Sequence, residues 1–254
     1  MWVFCCGPVR SGSTLQFNIT RELVEKSNSG YAVDYDYTDN FSKVYERYND
    51  EKLKVFKTHS LSPLMIELIN NKKAVAIYCY RDVRDVIVSI AKKEDNVVSN
   101  LVLNNKFILG YVDYYNLIKN LPYKLMSKYE DFYNNIPREC RRIASILNIK
   151  ANVEVINQIE KEYSRDKLIS NIDKDKMDQF VGKNGKTYTL DKKTLIHFNH
   201  FGNYYPGSYV MEMSQSEIDK IEKGVGTWLL INGYKVDLMK YFILRLKLIK
   251  KRFT

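Results

Sequence analysis

Residues 7–14 read Gly7-Pro8-Val9-Arg10-Ser11-Gly12-Ser13-Thr14 and directly follow an apolar run, Trp2-Val3-Phe4-Cys5-Cys6. The order is that of a nucleotide-binding P-loop: a glycine, four residues, a second glycine, one residue and a hydroxyl residue. A buried strand that runs into such a loop and then into a helix presents backbone N–H groups to an anion. This stretch therefore predicts an α/β fold in which the loop holds a phosphate-like group.

One position distinguishes this loop from that of a nucleoside triphosphatase. Ser13 stands where those enzymes need a lysine that reaches the β- and γ-phosphates. Arg10, inside the loop, can supply the missing positive charge. We therefore expect the loop to bind an anionic group other than the triphosphate of ATP or GTP.

The pattern of the remaining chain predicts alternating strands and helices. Hydrophobic patterns predict strands at Trp2–Cys6, Lys54–Thr58, Ala74–Tyr80 and Tyr123–Ser127, and a weak alternation predicts another at Tyr31–Tyr37. Amphipathic segments predict helices at Thr14–Lys26, Ser62–Asn70, Val86–Lys93, Asn96–Lys119, Pro137–Leu147 and Ser214–Leu230, the last with a capping box of Ser214 and Glu217. Such alternation predicts a three-layer α/β P-loop fold, with a central parallel sheet flanked by helices.

The composition suits a single domain over residues 1–254, because 45% of the residues are hydrophobic. The segment 161–193 is rich in Lys, Asp and Asn, which predicts a mobile loop or lid; a solvated surface excursion is the alternative. Much of the net charge of +10 lies in the basic tail 240–254. The rest is too weakly basic for a nucleic-acid platform, and we expect the tail to pack on the domain rather than on a membrane.

The cysteines bear on the cellular compartment. Cys5, Cys6, Cys79 and Cys140 have neither the spacing of a metal site nor that of a disulfide framework. We therefore expect buried, reduced thiols, no metal, and a cytoplasmic protein. The first strand begins at Trp2, so we expect no signal peptide, and no apolar run reaches the ~20 residues of a membrane span.

Polar residues follow three of the predicted strands. The first strand leads into the loop, another ends at Lys57-Thr58-His59, and a third is followed by Arg81, with Ser89 eight residues later. Ligands of open α/β sheets bind at the carboxyl ends of the strands. These residues therefore predict a site for a multiply anionic cofactor beside a base.

With these motifs the chain resembles sulfotransferases that use 3′-phosphoadenosine-5′-phosphosulfate (PAPS), of the bacterial or cytosolic small-molecule type. Four segments carry the resemblance, in the family's order: Arg10–Thr14, Lys57-Thr58-His59, Arg81 with Ser89, and Tyr129-Glu130-Asp131. The resemblance implies a 5′-phosphosulfate site formed by Arg10, Ser11, Gly12, Ser13 and Thr14. It further implies that Arg81 and Ser89 bind the 3′-phosphate, that Tyr129 contacts adenine, and that PAP is the product.

The resemblance also implies catalytic roles for three residues. His59 would act as the general base that takes the acceptor's proton. Lys57 and Arg10 would stabilise the charge that develops on the transferring group and on the leaving oxygen. The scheme requires no metal.

Two segments depart from the family's pattern. Leu15 stands where the family often has a tryptophan near the adenine. The segment 199–207 stands where cytosolic members have an Arg-Lys-Gly sequence at the 3′-phosphate, and it lacks that basic pair. In this respect the chain looks more like the bacterial members.

The segment Tyr31-Ala32-Val33-Asp34-Tyr35-Asp36-Tyr37-Thr38-Asp39 bears on the acceptor, because it interleaves acids with aromatic residues. That arrangement suits a cationic or polar small molecule, such as an alkaloid or guanidinium compound of bacterial natural-product biosynthesis. A strand with alternate residues facing solvent and core is the alternative.

Two other functions remain open at this point. A nucleotide or small-molecule kinase with a degenerate P-loop would need a Mg²⁺-binding acid and a phosphate-gripping lysine. A non-catalytic module could keep the anion pocket alone. Among the single residues, His59 could be structural, and Arg81 and Arg84 could pair on the surface with Asp82 and Asp85.

Overall fold

The computed structural model describes residues 1–33, 41–93, 97–103, 105–170, 178–181, 187–191, 193–196 and 205–237. The chain divides into two compact units: residues 1–80 with 118–203, and residues 81–117 with 204–254. The first unit contains the parallel sheet, and the elements described in the second are helical. The prediction of one domain over 1–254 stays a prediction.

A five-stranded sheet forms the centre of the first unit. Its strands are β1 (Trp2–Cys6), β2 (Gly30–Ala32), β3 (Leu53–Lys57), β4 (Ala74–Tyr80) and β5 (Lys124–Lys128). They lie in the order β2-β3-β1-β4-β5, and every pair is parallel. The predicted parallel sheet is thus confirmed, and the strand that leads into the loop lies at its centre.

Helices connect the strands. In chain order they are α1 (Ser13–Lys26), α2 (Phe41–Arg47), α3 (Pro63–Asn70), α4 (Val83–Lys93), α5 (Val98–Leu103), α6 (Asn105–Lys119), α7 (Tyr129–Tyr133), α8 (Ile136–Leu147), α9 (Val153–Tyr163), α10 (Arg165–Ser170), α11 (Tyr209–Glu212) and α12 (Gln215–Ile231). The predicted capping box of Ser214 and Glu217 begins α12. Among the described residues, none of these helices is both long enough and apolar enough to cross a membrane.

Helices cover both faces of the sheet. Successive side chains of a strand point to opposite faces, so a single strand such as β1 contacts helices on both sides. On one face Val3 and Cys5 of β1 join a buried cluster with Ile19 of α1 and Ile143 of α8. On the other face Trp2 packs edge-on against Phe41 of α2, with ring centroids 4.9 Å apart. The first unit therefore has the predicted three layers.

The second unit has its own aromatic core. Tyr111 and Tyr115 of α6 contact the ring of Trp228 in α12, at centroid distances of 5.6 and 5.4 Å. Tyr234 stacks on the same indole at 5.7 Å. These contacts fix α6 against α12 within this unit.

Regular elements lie within the segment 161–193, for which the sequence predicts a mobile loop or lid. The described part contains the end of α9, α10, and an antiparallel pair of strands, β6 (Asp178–Val181) and β7 (Thr187–Leu190). Strands this short give little hydrophobic pattern, and the polar composition concealed them. The mobility of the segment stays a prediction. The predicted strand positions 34–37 and the basic tail 240–254 lie outside the described residues.

Candidate active site

The loop between β1 and α1 is shaped to receive an anion. Arg10 and Gly12 both adopt left-handed backbone conformations, with φ of 64° and 94°. Gly12 is the N-cap of α1 and supplies no side-chain cap, and the first turn contains no acidic residue. The first N–H groups of a helix carry partial positive charge. This end of α1 thus presents that charge without a carboxylate from its own first turn.

Two glycines of the loop have no space for a side chain. A Cβ atom at Gly7 would lie 2.5 Å from the carbonyl oxygen of Cys79. A Cβ atom at Gly12 would lie 2.2 Å from Cδ2 of Tyr129, so the tyrosine ring lies directly against the loop. The structure therefore places Tyr129, the predicted adenine contact, beside the predicted phosphosulfate loop.

Cys79 holds the loop from the end of β4. Its Sγ donates a hydrogen bond to the backbone oxygen of Ser11 at 2.9 Å. Burial raises the pKa of the Cys79 thiol, which keeps it protonated as a donor. The Ser11 hydroxyl in turn donates to the oxygen of Pro8 at 2.7 Å. The sequence indicated only a buried thiol at Cys79. The contact with the loop follows from the pairing of β4 with β1, which brings the ends of these two strands together.

Lys57 places a buried positive charge at the loop. Its side chain is 3% exposed, and Nζ donates to Oγ of Ser13 at 3.0 Å. Burial lowers the pKa of Lys57 from 10.5 to about 8. The other lysine and arginine side chains that are buried in the described part of the chain have carboxylate partners: Arg21 with Glu22, Lys54 with Asp50, Arg81 with Asp85, and Arg84 with Asp82 and Glu222.

Within the described residues, Lys57 has no carboxylate within 4 Å. A buried charge is costly without a partner of opposite sign. The arrangement around Lys57 and Ser13 therefore favours an anionic ligand, which would provide that partner.

His59 lies two residues beyond β3 and is exposed. Its Nδ1 is 2.9 Å from the carbonyl oxygen of Gly7. A carbonyl oxygen only accepts, so Nδ1 carries the proton, and in a neutral ring the lone pair is then on Nε2. This is the tautomer that a general base acting through Nε2 requires.

The structure thus brings together, in the first unit, the loop, Lys57, His59 and Tyr129. Arg10 and Thr14 are half-buried in the same loop and first helical turn. The acidic and aromatic positions 34–39, predicted to border the acceptor, lie outside the described residues. Among the residues that the structure describes, no group of three or more His, Cys, Asp or Glu side chains is placed to hold a metal ion.

Arg81 and Ser89 belong to the second unit. Arg81 follows β4 directly, Ser89 lies in α4, and they are only 6% and 5% exposed. The hydroxyl of Tyr111 accepts from the backbone N–H of Arg81 and donates to its carbonyl oxygen, both at 2.8 Å. An Nη2 atom of Arg81 lies 3.7 Å from the carboxylate of Asp85.

The pairing of Arg84 is buried rather than superficial. Its guanidinium contacts Asp82 at 2.7 Å and Glu222 at 2.6 Å, and lies 4.1 Å above the ring of Tyr209. The alternative of ion pairs at 81–85 is therefore right about the pairing but wrong about its place, because the pairs are buried and not on the surface. All four of these charged positions are buried.

Sequence reasoning missed the contacts of Asp85. This carboxylate accepts from the backbone N–H groups of Gly207 and Tyr209, at 2.7 and 3.0 Å. Residues 205–207 are the described part of the segment that departs from the family's pattern; 199–204 lie outside the described residues. No sequence signal linked Asp85 to a turn more than 120 residues away.

Residues 3–189 match the sulfotransferase domain family. No curated protein sequence matches the chain. A mouse sulfotransferase complexed with PAP has a similar structure, with a TM-score of 0.67 and 14% identity over 98% of this chain and 88% of that one.

Two structures of retinol dehydratase are also similar, one with androsterone and the inactive cofactor PAP, the other with retinol and PAP. Their TM-scores are 0.56 and 0.57, each at 18% identity over 92% of this chain and 82% of the other. These likenesses confirm the predicted fold. Because the family match covers most of the sequence, the chain belongs to the sulfotransferase domain family.

Proposed function

We propose that this protein transfers a sulfuryl group from PAPS to a hydroxyl or amine of a small-molecule acceptor. The observation that carries the proposal is the buried Lys57 ammonium, bonded to Ser13 at the start of an α1 whose first turn contains no acid. The three similar structures were determined with PAP, the desulfated form of PAPS. Both observations support an anionic sulfonucleotide as the ligand.

The residues present suit the parts of PAPS. The backbone of Arg10–Thr14 and the hydroxyls of Ser13 and Thr14 would hold the 5′-phosphosulfate. Arg81 and Ser89 would bind the 3′-phosphate, and Tyr129 would contact the adenine. When bound, PAPS supplies the activated sulfuryl group.

His59 would receive the acceptor's proton at Nε2, since Nδ1 is engaged with the carbonyl oxygen of Gly7. Lys57 and Arg10 would offset negative charge near the loop, and the burial of Lys57 strengthens its electrostatic effect. A fixed tautomer and a fixed cation require little rearrangement during the reaction.

A cytoplasmic location is supported by four cysteines that are all free and buried.

The acceptor that we favour is a cationic small molecule, such as a natural product, on the basis of the acids and aromatic residues at 31–39. We test the acceptor with matched cationic, neutral and anionic compounds, using Asn in place of Asp34, Asp36 or Asp39. Preference for neutral alcohols, unchanged by every substitution, would reject the cationic acceptor.

The cofactor is tested by comparing PAP with AMP and ATP in thermal-shift and calorimetric titrations. We expect PAP to bind clearly more tightly, because AMP and ATP lack the 3′-phosphate. A charge-assisted contact is worth about 1.5–3 kcal/mol, so Arg81→Ala should weaken PAP binding by about tenfold or more. Equal binding of AMP and PAP to the wild type would reject the assignment.

Two further results would favour the other functions. Tighter binding of ATP in the presence of Mg²⁺, with transfer of phosphate, would indicate a kinase. Binding of PAP without sulfated product from PAPS, across the whole acceptor panel, would indicate a non-catalytic module.

A further inference from the structure

Asp85 is buried at the start of α4 and has partners on two sides. Its Oδ1 accepts from the N–H of Tyr209 at 3.0 Å and from the hydroxyl of Ser208 at 3.4 Å. Its Oδ2 accepts from the N–H of Gly207 at 2.7 Å and lies 3.7 Å from Nη2 of Arg81. One carboxylate thus joins the arginine that follows β4 to a turn near the end of the chain.

The ionisation of Asp85 is balanced between its burial and its partners. Burial raises the pKa of Asp85, while Arg81 and the two backbone N–H groups favour its ionised form. Both carboxylate oxygens have partners. Oδ1 accepts a hydrogen bond from Tyr209, and Oδ2 accepts one from Gly207 and forms the ion pair with Arg81. The charge that faces the Arg81 guanidinium and the acceptor for the backbone N–H groups of the 207–209 turn are therefore the same carboxylate.

Arg84, the residue before Asp85, contacts the same turn through a side chain. Arg84 lies 4.1 Å from the ring of Tyr209 and is held by Glu222 at 2.6 Å. Tyr209 is thus held through its backbone by Asp85 and through its ring by Arg84. Glu222 provides a natural control, because it is a buried acid of the same network whose ion pair is with Arg84.

We propose that Asp85 is a positioning residue, which orients Arg81 for the 3′-phosphate and fixes the turn Gly207–Tyr209 at the same time. The inference rests on the proposed role of Arg81 in binding the 3′-phosphate. Its consequence is that recognition of this phosphate and the order of the turn are coupled. A ligand that binds Arg81 should therefore change the order of the backbone at residues 207–209.

The first test is the ratio of the dissociation constants of AMP and PAP, which isolates the 3′-phosphate. Asp85→Asn should lower this ratio by about tenfold, since an amide has one acceptor oxygen and no charge to orient Arg81. Glu222→Gln is the control, and it should leave the ratio unchanged even if it lowers the melting temperature. An unchanged ratio in Asp85→Asn would overturn the inference.

A double-substitution cycle separates positioning from general destabilisation. In the Arg81→Ala protein, adding Asp85→Asn should not lower the AMP-to-PAP ratio any further. A further loss of about tenfold would show that Asp85 acts independently of Arg81. If the wild type itself shows no preference for PAP, it is the proposed function that fails. If Arg81→Ala removes the preference and Asp85→Asn keeps it, only the present inference fails.

The second test needs no variant. Hydrogen exchange of the Gly207 and Tyr209 amides is measured in the wild type, saturated either with PAP or with AMP. We expect several-fold slower exchange of these amides with PAP, because the 3′-phosphate fixes Arg81 and, through Asp85, the turn. Equal exchange with the two ligands would contradict the coupling.

Discussion

Lys57 and His59 are two residues apart, and their surroundings suit them to different tasks. Lys57 is the last residue of β3 and is buried, so its ammonium can act as a fixed charge beside Ser13. His59 lies beyond the strand and is exposed, so its imidazole is accessible to an acceptor. The carbonyl of Gly7 then sets the tautomer of the ring. Sequence position suggested both residues; only the structure shows which nitrogen is engaged.

His59→Ala should leave the affinity for PAP nearly unchanged and lower kcat by about 10²–10⁴-fold, the usual effect of removing a general base. His59→Asn is a matched variant, because its amide N–H can still donate to the carbonyl oxygen of Gly7 while Nε2 is absent. It should retain wild-type stability and share the low kcat. Turnover near that of the wild type in either variant, measured with PAPS and the best acceptor, would assign the proton to another group.

At the scale of elements, the loop and its helix could be predicted because their signals are local. The glycine spacing identified the loop, and the strand at Ala74–Tyr80 was predicted with its observed bounds. Contacts between distant elements could not be predicted in this way. Two contacts of the loop are of this kind: the hydrogen bond from Cys79 of β4 to Ser11, and the packing of the Tyr129 ring of α7 against Gly12. The sequence order of these residues does not specify such distances.

Gly12→Ala tests whether the loop element tolerates any side chain. The residue has φ 94°, and its new Cβ would lie 2.2 Å from the Tyr129 ring. Left-handed backbone at a non-glycine residue costs about 1–3 kcal/mol, so we expect at least that loss in the free energy of unfolding, with weaker binding of PAP. The measurement is urea denaturation, with and without PAP.

Gly110→Ala is the control, because Gly110 lies within α6 and a Cβ there would meet nothing within 4 Å. An alanine at this helical position should be neutral or stabilising by up to about 1 kcal/mol. If Gly12→Ala were as stable as Gly110→Ala, the conformation of the loop would not depend on glycine at position 12.

For the whole molecule, the sequence predicted the class of fold but not the division of the chain. Strand and helix periodicity predicted the layers around the parallel sheet, which the first unit contains. The second unit combines residues 81–117 with the end of the chain. Its contacts, such as those of Trp228 with Tyr111 and Asp85 with Gly207, connect residues more than 100 positions apart. Hydrophobic periodicity marks each helix but does not specify its partner.

The stability of the whole molecule should show the cost of keeping Lys57 charged. Its pKa falls from 10.5 to about 8 on folding, so between these values the unfolded chain binds a proton that the folded chain has released. Stability due to this group therefore rises with pH from about 8 to about 10.5. Binding of an anion has the opposite dependence, because it favours the charged form, and PAP affinity should fall above about pH 8.

Lys57→Met removes the buried charge while keeping much of the side-chain volume. We expect a higher melting temperature for the unliganded variant at pH 7, by about 2–4 °C for each kcal/mol gained, together with loss of turnover and weaker PAP binding. The difference in stability between variant and wild type should shrink as the pH rises through 8–10.5, since the wild-type lysine is then neutral in the fold. The measurement is thermal unfolding across this pH range, with and without PAP. A variant that is less stable than the wild type at pH 7 would mean that Lys57 stabilises the unliganded fold, and that its burial does not favour an anionic ligand.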